Sequence, residues 1–229
     1  MNWLSLIDSL AAPTVPPLPD LSLMRGLLDL SWGLVLSAIF LAAISRQNAR
    51  RIQWAGVGVL FLSCQLPGVW APSYWLGLAF QTPSVSSSLL AAWYLQRKLR
   101  GAASAPVFST SNKAVLWHIW LGVALGWLLL LDTFALLPWS LFAMGFSPMV
   151  PGLVLLCALL PWLLMGRHGL DLRLATLILS VLLLYIGLRI PNGNFWAALL
   201  DPCLWLGLNG VLLRSALQAS RKTENLKKA

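Results

Sequence analysis

Apolar positions in this chain come in long blocks, and the polar ones fall in short bursts between them. A helix needs about 20 mainly apolar residues to cross a hydrocarbon layer, at about 1.5 Å per residue. Seven blocks qualify: 22–45, 53–70, 73–95, 114–137, 150–166, 170–190 and 195–217, the third studded with Ser and the fifth short. The ten-residue alternation of membrane β-strands is absent. The pattern predicts an all-α integral membrane protein, a bundle of about seven transmembrane helices. An outer segment (1–21) precedes it, with "MNWLSLIDSL" lying along the interface and "PTVPPLPD" as an extended connector. A basic tail (218–229) follows the bundle. The opening residues lack a basic start and carry Asp8, so cleavage as a secretion signal is not expected.

The bursts set the orientation. Placing the N-terminus outside puts all but two of the sixteen Lys and Arg, Arg25 and Arg189, in the inner segments or the span ends touching them. The outer connections "LPGVWAPSYW" and "LPWSLFAMGFSPMV" carry no charge. Basic residues mark the cytoplasmic side, so the N-terminus is predicted outside and the C-terminus in the cytoplasm. The compact chain and its Leu, Trp and Arg usage place it in the plasma membrane, read as a bacterial inner membrane.

Composition agrees. The chain is 59% apolar and 10% charged, where soluble domains carry about 25% charged residues. Thirteen Trp fit a residue that collects at bilayer interfaces. The net charge of +9 comes without a nucleic-acid-binding pattern, so it reads as topology, and no nucleic-acid partner is expected. The expected partners are the lipid bilayer and other membrane protein subunits. Cys64, Cys157 and Cys203 lie apart in apolar runs, which predicts packing residues and no metal site. His118 and His168 are too separated for haem, and span seven has no Lys for a retinal Schiff base, so no cofactor is expected.

The candidate chemistry lies in the outer half. Asp201, in "LLDPCLWL", falls roughly 9 Å below the outer end of span seven by helical rise. Asp29 sits at a similar depth, Asp132 somewhat shallower, and Gln81 in the outer half of span three. Arg25 and Arg189 lie at the outer ends of spans one and six. Intramembrane ionisable groups face the bundle interior or water and pair with one another. These six side chains predict an outward-facing polar chamber, with pairs Arg25–Asp29 and Arg189–Asp201. Asn209, two turns below Asp201, extends it inward. The short stem of Asp makes snorkelling hardest for Asp29 and Asp201.

Other features have ordinary readings. Gly122 and Gly126 form GxxxG, which allows close helix approach inside the chain. "TPSVSSS" suits a contact between helices, and His118 an interfacial hydrogen bond. Pro202 and Pro83 would free the carbonyls of Ala198 and Ala79, while Pro161 is a common membrane-helix proline. Three functions follow: a permease or channel for a proton, ion or small solute through the chamber; a non-catalytic subunit of a larger membrane assembly; and an enzyme on a lipid-linked substrate, with Asp132 or Asp201 as base.

Overall fold

The computed structural model describes residues 19–44, 50–101, 112–166 and 171–228, with side chains omitted at 165, 219 and 221–228. The interfacial stretch expected over 1–10, most of the 96–113 loop and His168 lie outside the described residues. Within them the chain is all-helical, with ten α-helices. In order these are α1 (Leu21–Ala43), α2 (Arg50–Ser63), α3 (Pro72–Phe80), α4 (Val85–Leu99), α5 (Lys113–Thr133), α6 (Leu141–Met144), α7 (Met149–Met165), α8 (Leu172–Leu188), α9 (Phe195–Leu199) and α10 (Pro202–Lys228). A 3-10 turn, Gly68–Trp70, precedes α3. Two helices, α1 and α5, are long and apolar enough to cross a membrane; α7 and α8 are apolar and shorter.

Three predicted blocks differ from the helices formed. The block 53–70 stops at Ser63, because Pro67 and Gly68 (φ 61°) follow and cannot continue a helix. The block 73–95 is two helices, broken over 81–84. The block 195–217 is also two, broken at Leu200 and Asp201. Both breaks adjoin a proline, Pro83 and Pro202.

Helix starts follow capping chemistry. Asp20, Ser84, Asn112, Asp171 and Asn194 each accept a backbone N–H of the helix that follows. The Ser22 hydroxyl, with backbone N–H groups, holds the exposed Asp20 carboxyl below its usual range. Arg97 and Lys98 in the last turn of α4 suit its negative end.

Packing uses small residues where helices approach. On the α1–α2 contact, Ser37 Oγ–H donates to the Val57 carbonyl at 3.4 Å. A Cβ at Gly33 would lie 3.0 Å from the Phe61 ring, and one at Gly56 2.5 Å from Phe40. The GxxxG face of α5 meets α10: Gly126 lies under the Trp205 indole and Gly122 under Leu208. Trp205 in turn stacks edge-on with Trp127 at 5.1 Å and donates to the Val123 carbonyl at 3.3 Å. The largest core gathers Val85, Val181, Leu182, Tyr185 and Phe195, from α4, α8 and α9; Trp32, Val35 and Ala91 join α1 to α4 in a second.

Pro161, read as an ordinary proline, is the one inside a continuous helix. It removes the N–H that would bond the Cys157 carbonyl. Trp117 Nε1–H of α5 donates to that carbonyl at 3.4 Å instead. Beside it His118 sits between two acceptors, with Nδ1 2.6 Å from the Ala114 oxygen and Nε2 3.1 Å from that of Ala158.

Candidate functional site

The two breaks face each other, and Asp201 joins them. Pro202 lacks an N–H and its fixed φ suits the first helical position, which makes Asp201 the N-cap of α10. Its Oδ1 accepts from Leu204 N–H at 2.8 Å, and its carbonyl from Trp205 N–H at 2.9 Å. Oδ2 turns to the other break. It accepts from Ser84 N–H and Ser84 Oγ–H, each at 2.8 Å, and from Ser87 Oγ–H. Ser84 itself caps α4, accepting from Ser87 N–H at 3.1 Å. One carboxylate therefore ties together the positive N-terminal ends of two half-helices. Three of these four donors converge on Oδ2 and one serves Oδ1; Asp201 is 9% exposed.

The short helix α3 is held at both ends by α1. Near its start, Ser73 Oγ–H donates to Asp29 Oδ1 at 2.6 Å, the nearer and charged acceptor, with the Cys64 carbonyl 2.8 Å from the same hydroxyl. At its end, Trp32 Nε1–H donates to the Gln81 carbonyl at 2.9 Å. Gln81 has φ 64° and ψ −161°, a region that only glycine adopts without strain.

Of the seven predicted site residues, Asp29, Gln81 and Asp201 thus secure the α3–α4 segment, and the other four lie elsewhere. Asp132 accepts from Phe142 N–H at 2.7 Å, at the start of α6. Asn209 donates to the Trp205 carbonyl of its own helix at 2.8 Å. Arg189 ends α8 in the left-handed conformation (φ 54°), and its guanidinium lies 5.3 Å from the Tyr185 ring centroid. It does not pair with Asp201, whose carboxylate accepts from Ser84, Ser87 and Leu204. Arg25 is exposed, and the partner of Asp29 is Ser73 in its place. Both expected ion pairs are therefore corrected to hydrogen bonds with neutral donors.

Space is distributed differently from polarity. The crevice beside Asp201, lined also by Trp32, Phe80, Pro83 and Ser87, measures about 10 Å³, enough for one water at most. A cavity of about 370 Å³ opens among α4, α5, α7, α8, α9 and α10, and none of the seven residues lines it. Among the described residues every buried side-chain nitrogen and oxygen has a hydrogen-bond partner.

A second clasp was not anticipated. Asn194, fully buried, donates to the Phe142 carbonyl at 2.8 Å and accepts from Trp196 N–H at 2.9 Å. Tyr185 O–H donates to the Gly193 carbonyl at 2.8 Å, and Phe195 N–H to that of Gly145 at 2.9 Å. The turn signal "PNGN" followed by an aromatic pair marked the place, but not its partner 50 residues earlier. Comparison with protein-family models, curated proteins and solved structures finds no match for the chain.

Proposed function

We propose that the chain is a seven-crossing membrane protein of a bacterial inner membrane, N-terminus outside, serving as a non-catalytic subunit of a larger membrane assembly. Membrane residence is supported by the two long apolar helices and by the apolar exterior. Trp70 is 78% exposed, Leu164 77% and Leu183 63%. Such a surface would be a large liability in water and costs nothing against acyl chains. The interrupted segments 72–99 and 195–228 each supply one crossing.

The subunit reading rests on one observation: Asp29, Asp132 and Asp201 each accept hydrogen bonds from donors of the chain itself. Groups so used hold backbone together. They are poorly placed to pass a solute or take a proton from a substrate, which also lowers the enzyme reading. The permease reading keeps one specific support, the pair of interrupted helices meeting on a carboxylate, an arrangement transporters use around ions.

Purification in mild detergent with mass-spectrometric identification of companions tests the choice. A subunit co-purifies with defined partners and loses them, with its own stability, in Asp201→Asn. A permease runs alone, and Asp201→Asn stays folded while uptake stops. That second pattern overturns the proposal.

A further inference from the structure

The 370 Å³ cavity lies apart from the polar clasp at Asp201. Apart from Ser86 and His118, its walls are aliphatic, glycine, cysteine or tryptophan. Along α5 it runs from Val115 to Leu128, about 20 Å by helical rise. A second cavity of about 180 Å³ adjoins its inner end and shares His118, Ala158, Leu174 and Ile178 with it; Asp171 lines that end. The two form one slot along the helices. It opens sideways between α5 and α7, where Ala124, Leu128 and Leu153 are exposed. Among the described large hydrophobic side chains of α7 only Val150 is buried, so that helix leaves Leu153 and Val154 facing the gap.

Protein interiors are close-packed, and an apolar cavity of even about 150 Å³ stays dry and takes up apolar ligands. A slot more than twice as large, whose polar walls are Ser86, His118 and, at the inner end, Asp171, suits an apolar occupant. The hydrocarbon core is about 30 Å thick, so one leaflet supplies chains of roughly 15 Å, which the slot is long enough to take. Its polar end lies at the cytoplasmic boundary in the orientation proposed above. There Asp171 accepts from Arg173 N–H, Leu174 N–H and the Asn112 amide. We propose that this slot holds one acyl chain of an inner-leaflet phospholipid, completing the packing of α5, α7 and α8. The inference rests on the membrane insertion proposed above and is independent of the subunit reading.

The test uses the full chain in dioleoylphosphatidylcholine vesicles doped with a phosphatidylcholine carrying a photoactivatable diazirine in its acyl chain. After flotation and irradiation, adducts are mapped by mass spectrometry. Slot residues such as Ala124, Leu153, Leu174 and Leu208 are expected to label several-fold more than Leu183 and Leu213, which face outward. Filling the slot with Ala124→Phe, or separately Ala158→Phe, removes the slot adducts and leaves those on Leu183 and Leu213. Two variants guard against one misfolding, and flotation with unchanged circular dichroism reports folding for each. Slot labelling no greater than outward labelling overturns the proposal, as does labelling that survives both fillings. Displacement by a polyprenol but not by unlabelled phospholipid also overturns it. A chain that fails to float with the vesicles refutes insertion and the slot together, whereas a floating chain with an unlabelled slot refutes the lipid alone.

Discussion

Removing the carboxylate of Asp201 should loosen both half-helices at once. In Asp201→Ala the N–H groups of Ser84 and Leu204 lose their acceptors inside the bundle, while the two Ser hydroxyls rotate to nearby carbonyls. The Ser84 donor, orphaned, costs about 1–3 kcal/mol, and loss of the N-cap bond to Leu204 about 0.5–2 kcal/mol. The sum is about 1.5–5 kcal/mol. Asp201→Asn keeps one acceptor oxygen, and the Ser hydroxyls can accept from its amide, so one backbone N–H is stranded at about 1–3 kcal/mol. Interhelical hydrogen bonds in membranes average about 0.6 kcal/mol and reach about 1.7, which bounds the coupling of Asp201 with Ser87 in a double-mutant cycle. Unfolding by dodecyl sulfate in mixed micelles, followed by far-ultraviolet circular dichroism, measures all of these. If Ala and Asn variants both stay within about 0.5 kcal/mol of the parent, the level expected of neutral surface changes, the clasp has no structural weight and the subunit reading loses its basis.

Gln81→Gly should stabilise the chain by up to about 2 kcal/mol, since it relieves a backbone strain of about 1–3 kcal/mol against a glycine entropy cost of about 0.5–1; the same unfolding assay reports the sign. Gly126→Leu should destabilise by about 1–3 kcal/mol by driving the Trp205 indole off α5, whereas Gly152→Ala, with open space around its Cβ position, should be neutral or slightly stabilising. Trp117→Phe should cost under about 1 kcal/mol in the parent and nothing in Pro161→Ala, where the helix N–H again serves the Cys157 carbonyl; equal costs in both backgrounds would refute that account of the freed carbonyl. Asn194→Ala should cost about 2–3 kcal/mol through the outer clasp, visible also as faster proteolysis around 141–147.

Helix content was legible because it depends on long apolar blocks, and α1, α5, α7 and α8 start and end within a few residues of the blocks that predicted them. The interruptions were less so, because a hydropathy reading counts residues without asking which backbone groups they serve. Pro83 followed by Ser84 and Asp201 followed by Pro202 are cap-and-proline signals of a helix start, and both sat inside blocks read as continuous. Azimuth and partner choice were not legible. Arg25 and Asp29 have the spacing of a pair, yet Asp29 bonds Ser73, because the turn at Pro67 returns α3 against α1 and supplies a buried hydroxyl at shorter reach.

The order of cause then runs from backbone to carboxylate. A helix start leaves four N–H groups without partners, and in lipid no water meets them. Two such starts, at Val85 and Pro202, occur inside apolar blocks and meet in the interior of the bundle. Neutral caps alone would serve each start separately and leave the positive ends of two half-helices opposed. A single anion placed between them serves both and cancels that opposition. On this argument Asp201 is in an apolar run because the chain breaks its helices there, and the proline that follows it is the other half of the same device. Moving the break should move the need: a variant in which Pro202→Ala lets α9 run on into α10 gives Leu204 N–H the Leu200 carbonyl as its acceptor. Asp201→Asn should then cost less than in the parent.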